Sequence, residues 1–155
     1  GGDWWTRTPK CQVYVHEMMP DPLPERAEKL RALLNVNLNW DTRHISSGEQ
    51  KRVQLLLYLH VDKPIIILDE ATADLDVDQR HELLKFLYAE SVEHNKTIVY
   101  TTHIFEGLSD WASDLIVLDR TKGGVHQVLS THNGDRILLS DLYNTLVELK
   151  DKEIF

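Results

Sequence analysis

Two carboxylates stand side by side at the end of an uninterrupted apolar run. In IIILDEATADLD, residues 65–76, Asp69 and Glu70 follow three isoleucines and a leucine, with Asp74 and Asp76 just beyond. Carboxylates at such a strand end can hold a hydrated metal ion and take a proton from an attacking water. A second stretch, HISSGEQKRVQ at 44–54, places Ser46, Ser47 and Gly48 directly before a helical pattern. A serine hydroxyl and exposed amides at a helix start form a receptor for phosphate, and glycine lets the backbone approach closely. A third, YTTHIFEG at 100–107, ends an apolar segment in His103. A neutral imidazole there could donate to a terminal phosphate oxygen and help hold a water. Each stretch also has a purely local reading. The acids suit a solvated turn before a helix N-terminus, Ser46 and Glu49 have the spacing of a capping box, and a histidine ending a strand is usually structural.

The elements around these residues decide how they meet. The apolar run entered through Pro64 reads as a strand buried on both faces, since a half-wetted strand would alternate. After it, DVDQRHELLKFLYAESVEHN has an acidic start and Leu83, Leu84 and Leu87 at helical spacing, and KTIVYTTH reads as a second buried strand ending at His103. Strand, helix, strand is a βαβ unit with a parallel sheet and a right-handed crossover, which brings Glu70 and His103 to one carboxyl edge. Upstream, PERAEKLRALL at 24–34 predicts a helix with Ala27, Leu30, Leu33 and Leu34 on one side. A helix from about Ser47 turns Val53, Leu56, Leu57 and Leu59 to a core. Residues 1–24 read as irregular apart from a short strand around residues 12–16. Past His103 the pattern gives a short helix, strands at 115–119 and 125–130 around Gly123 and Gly124, and a terminal helix from Ser140.

The chain has 155 residues, 42% of them apolar, and a formal charge of −8. That length suits one packed domain. The negative balance opposes broad attraction to nucleic acid or anionic lipid, which need a basic surface, but not a nucleotide held by a few amides and one metal ion. One cysteine, Cys11, permits no internal disulfide. With no basic flank and apolar h-region at the start, a reducing cytosol or nucleus fits. No apolar stretch approaches the roughly 18 residues of a membrane span.

Taken together, these motifs resemble the ABC ATPases. ISSGEQKRV is similar to their signature motif, PIIILDE to their Walker B, ADLD to their D-loop and TTHIFEG to their H-loop switch, all in family order between residues 44 and 107. LDEATADLDVDQRHELLKFL, IVYTTHIFEGLSDWA, the opening GGDW and NVNLNWDTRHISSG further resemble the small eukaryotic ABC proteins without a transmembrane domain: the fungal associates of the Ccr and Not complex and the stand-alone plant proteins. The resemblance implies an α/β fold of the P-loop NTPase type, incomplete at the N-terminus. It would be a single partial domain with an irregular lead-in (1–24), a helical signature region (25–60), a sheet core from Walker B to H-loop (61–119) and a C-terminal hairpin and helix (120–155).

It also implies roles. Asp69 would hold magnesium through water, Glu70 would polarise the attacking water and His103 would contact the γ-phosphate. Ser46, Ser47, Gly48 and Glu49 would touch ATP bound to a second ABC domain, most simply in a homodimer. Ala73, Asp74, Leu75 and Asp76 would lie across that dimer interface. Two positions depart from the family: Ser47 replaces a usual glycine, and Gln12 alone stands near the place of the Q-loop glutamine. The larger departure is that G-x-x-x-x-G-K-[ST], the loop that cradles the phosphates, does not occur. The expectation is therefore an amino-terminally incomplete, magnesium-dependent ATPase, inactive as this chain alone. The complete protein would use ATP to switch a soluble complex of transcription or mRNA regulation in the cytoplasm or nucleus. The alternatives are the nucleotide-binding subunit of a transporter and a non-catalytic interaction module.

Overall fold

The structure, a computed structural model, describes residues 14–104, 108, 111–119 and 124–130. The chain divides into two compact units, Gly1–His103 and Ile104–Phe155. In the first, helix α1 (Glu25–Leu33) starts at Pro24, whose extended backbone (φ −61°, ψ 150°) is the N-cap, with Glu25 and Glu28 in the dipole-favoured first turn. Helix α2 spans Ser47–Leu59, strand β1 Ile65–Asp69, helix α3 Val77–Glu93 and strand β2 Thr97–Thr101. Asn35 and Asn95, just past the ends of α1 and α3, have φ of 49° and 52°. Asparagine tolerates this left-handed region better than most residues, and it turns the chain out of a helix.

Strands β1 and β2 pair in parallel from Ile65 opposite Thr97 to Asp69 opposite Thr101, the βαβ arrangement that the sequence predicts. The core lies among the helices and one side of this sheet: Leu30, Leu34, Val53, Leu56, Leu59, Leu83 and Leu87 are fully buried, and Ile66 and Leu68 nearly so. On α2, Leu55 is buried, whereas Leu57, which the sequence pattern assigns to the core, is half-buried.

Three expectations are corrected. Strand β1 is not buried on both faces: Ile65 and Ile67 are 54% and 58% exposed while Ile66 and Leu68 between them are covered. The apolar run identifies a strand built to be covered twice, but no described residue supplies the second layer. Strand β2 is not a buried strand either: Thr97, Val99 and Thr101 are exposed, and Ile98 and Tyr100 between them are only half-buried. In the described part of the strand expected around residues 12–16, Tyr14 makes a single bridge to Asp41 and the chain then enters a 3-10 turn at Val15–Met18. The turn closes because Glu17 reaches back to the Tyr14 amide at 3.1 Å, using a donor that a strand would give to its neighbour.

In the second unit, strands β3 (Asp114–Asp119) and β4 (Gly124–Ser130) form the expected antiparallel hairpin, with a register shift between Val117 and Leu118. The helix predicted from Ser140 lies outside the described residues, as do Gln12 and half of the segment between His103 and β3, where the sequence predicts a short helix.

Candidate functional site

Strand β1 ends at Asp69 and places its carboxylate on the exposed face of the sheet, directly opposite Thr101 of β2. The Thr101 hydroxyl donates to Asp69 Oδ1, which steadies the carboxylate. The next residue, Glu70, has φ 47°, a conformation that costs an L-residue roughly 1–2 kcal/mol. Its amide donates to the Thr101 carbonyl at 3.1 Å, so the strand pairing itself holds this turn. The turn carries the Glu70 side chain toward β2, where Oε2 lies 2.8 Å from His103 Nδ1. Both side chains are open to solvent, 45% for Glu70 and 73% for His103. The structure thus brings together Glu70 and His103, 33 positions apart in the sequence, with Asp69 beside them.

The loop that follows is anchored from below. Thr72 is buried, and its hydroxyl is hydrogen-bonded to the Tyr100 hydroxyl of β2. Leu75 closes back on the Thr72 carbonyl at 3.2 Å and buries its side chain. Asp76 accepts from the Gln79 amide at 2.8 Å and is the N-cap of α3. Ala73 and Asp74 remain exposed between these anchors.

At the start of α2 the capping box is realised. Ser46 Oγ accepts from the Glu49 amide at 3.3 Å, and the Ser46 amide and hydroxyl both donate to Glu49 Oε2 at 2.7 Å. The Ser46 amide first, then its hydroxyl, hold the Glu49 carboxyl below its usual range. Ser46 and Ser47 face solvent. A Cβ built on Gly48 would come within 3.8 Å of the Asp74 carbonyl oxygen, so the α2 start and the 73–76 loop are neighbours. No hydrogen bond or ion pair among the described residues joins the capping box to the Glu70–His103 pair. They are separate features of one unit.

Sequence reasoning missed Thr101 and the Thr72–Tyr100 pair. The signal for Thr101 was present but needed the strand register: once Ile65 is set against Thr97, Asp69 falls opposite Thr101. The described residues contain no group of three His, Cys, Asp or Glu side chains able to hold a metal ion. One oriented carboxylate, Asp69, nevertheless fits magnesium, which keeps most of its waters and takes further oxygens from substrate phosphates.

No protein-family model matches the chain. Sequence relatives do: it is 45% identical over 96 residues to ABC transporter I family member 21 of Arabidopsis thaliana, covering 62% of this chain and 34% of that protein. It is 39% identical over 95 residues to CCR4-associated factor 16 of Saccharomyces cerevisiae, covering 61% and 33%. The chain is a homologue of the ABC ATPases. The fold of this ABC homologue agrees, since it superimposes on a bacterial ABC transporter cassette, solved as a dimer, with a TM-score of 0.59 and 25% identity over 68% of this chain and 46% of that one. The ABC homologue spans about a third of the length of the curated relatives it matches. Among its described residues, no helix is long and apolar enough to cross a membrane.

Proposed function

We propose that this chain is part of an ATPase that binds ATP between two ABC domains and uses hydrolysis to switch a soluble partner complex. The observation that carries this reading is the 2.8 Å contact between Glu70 and His103 at the carboxyl edge of a parallel sheet, beside Asp69. Glu70 is the general base. Its carboxylate accepts a proton from the water that attacks the γ-phosphorus, as the bond from that phosphorus to the β,γ-bridging oxygen breaks and ADP leaves. A neutral imidazole donates through only one ring nitrogen. His103 therefore cannot donate to Glu70 and to a γ-phosphate oxygen at once, and an arriving phosphate would draw it away and free the carboxylate for water. Asp69, steadied by Thr101, would hold magnesium through water, and the ion when bound neutralises charge on the phosphates.

Ser46, Ser47, Gly48 and Glu49 would meet ATP carried by the second domain. Ala73, Asp74, Leu75 and Asp76 would lie along the same junction, a placement supported by the proximity of Gly48 to Asp74. The dimeric state of the cassette superimposed above supports a second ABC domain as partner. The name of the yeast relative supports a regulatory complex. Because the sequence holds no G-x-x-x-x-G-K-[ST] loop, the chain alone should not turn over ATP.

The test joins this chain to the upstream part of the Arabidopsis relative and measures phosphate release. Magnesium-dependent turnover is expected, falling by at least about 100-fold in Glu70→Gln. Undiminished turnover in that variant would remove Glu70 from the role of base. A second reading, the nucleotide-binding subunit of a transporter, is favoured by the name of the Arabidopsis relative. Recovery of the complete protein with membrane proteins from detergent extracts would select it, and recovery with soluble regulatory factors would select the switch.

A further inference from the structure

Successive residues of a strand face opposite sides of the sheet, so neighbours along β2 can grip different parts of the turn that follows β1. Thr101 lies opposite Asp69 on the exposed side and donates to its carboxylate. Tyr100 lies opposite Leu68, which is 3% exposed, on the side turned to the core. Its hydroxyl is hydrogen-bonded to that of Thr72, a side chain 1% exposed and three residues beyond the end of β1. The strand pairing stops where the Glu70 amide meets the Thr101 carbonyl. Past that point the chain is a loop, and the buried Thr72 hydroxyl needs a protein partner because its hydration is gone. The Leu75 amide then donates to the Thr72 carbonyl at 3.2 Å, and the Asp74 carbonyl lies 3.8 Å from where a Cβ on Gly48 would stand. Through Thr72, Tyr100 thus reaches the loop that abuts the start of α2.

We propose that Tyr100 is a positioning residue: acting through Thr72, it seats residues 73–76 beside the start of α2, where ATP is shared with a second ABC domain, and so sets how firmly ATP is held rather than how fast it is cleaved. Two observations separate this role from that of Glu70. The Tyr100–Thr72 contact lies on the core side of the sheet, so its loss leaves the Thr101–Asp69 contact on the exposed side and the Glu70–His103 pair in place. The ring of Tyr100 could be supplied equally by phenylalanine, whereas the hydroxyl adds a directed link to one atom of the loop. The fraction of molecules with the loop seated therefore governs the apparent affinity for ATP, while the chemical step stays with Glu70. The link to ATP rests on the ATPase reading, and the seating of the loop rests on register and on the contact between the two hydroxyls.

The experiment compares Tyr100→Phe, Thr72→Val and the two combined, in the intact 155-residue chain and in the fused protein of the phosphate-release test. Hydrogen exchange of the intact chain, followed amide by amide, reads the seating without nucleotide. Each single variant should speed exchange of the Leu75 amide at least about tenfold, since one buried hydroxyl loses its partner, while the amides of β1 and β2 keep their rates. The double variant should return Leu75 to within about threefold of the natural chain, because two apolar groups leave no orphaned hydroxyl. In the fused protein each single variant should raise KM for ATP at least about tenfold, with kcat within about twofold and the same pH profile. Glu70→Gln loses kcat instead. Unchanged Leu75 exchange in both single variants overturns the proposal, as does a double variant no better than the singles. Faster exchange throughout β1 and β2 with lower kcat at constant KM overturns it too, because the pair then merely stabilises the fold. If the natural fused protein shows no turnover while the exchange results hold, the seating by Tyr100 is supported and the ATPase reading falls.

Discussion

Glu70 occupies a backbone region that favours glycine, with φ 47°, at the position proposed for the base. The left-handed turn points its carboxylate at His103, whereas continued extension would return it to the alternation of the strand. Removing the side chain should therefore reveal the conformational cost. Glu70→Gly is expected to raise stability by up to about 1 kcal/mol, the strain relieved less the extra chain entropy of glycine. Glu70→Ala keeps the strain and should gain nothing. Urea denaturation of the three proteins checks the order. The exposed Glu70–His103 pair adds little to fold stability, so its loss should not hide the effect. That Asp69, Glu70, Ser46 and His103 stand at or beside element ends was legible in the sequence, because a change from apolar to polar residues marks where each element starts or stops. The backbone angle of Glu70 was not legible, since glutamate carries no propensity for it, and Thr101 needed the register.

At the scale of elements, each one that bears a site residue at one end is tied down at the other. Arg26 of α1 donates from Nε to the Leu59 carbonyl at 2.9 Å, at the end of α2, and from Nη1 to Glu90 of α3 at 2.6 Å. Lys96, just before β2, is paired with the same carboxylate and with Asp62 before β1, the latter at 2.5 Å. Glu90 is 4% and Lys96 8% exposed, so the carboxylate is a buried hub for α1, α3 and the entry to β2. Glu90→Ala leaves Arg26 without its carboxylate and Lys96 with only the exposed Asp62, and should cost about 3–5 kcal/mol, measured by urea unfolding. Asp76→Ala removes only the cap of α3 and should cost about 1 kcal/mol. The helices and the parallel pair were readable from period and capping residues. The hub was not, because a glutamate and a lysine near a helix end read as a solvated pair until α1 is known to pack beside them.

For the whole molecule, the hub sets a response to acid. Burial pushes the Glu90 carboxyl up, but the hydrogen bonds from Arg26 and Lys96, with their charges, outweigh it and hold the group below its ordinary 4.5. The folded protein thus binds that proton less readily than the unfolded chain. The stabilisation is complete above about pH 4.5 and drains away as the pH falls through the folded value. The stability gap between the natural chain and Glu90→Gln should therefore be widest near neutrality and narrow in acid, which thermal melts across a pH series will measure. The apolar run of β1 revealed a strand with two hydrophobic sides, but not which side would lie bare, since that depends on what else is folded around it. The space at Gly48 has a further use. An added methyl would meet the Asp74 carbonyl at 3.8 Å, an ordinary contact, so alanine can be installed there without disturbing the monomer. Any defect of Gly48→Ala would then be a steric footprint left by a visitor to the surface, which makes that position a feeler gauge for whatever comes to rest against it.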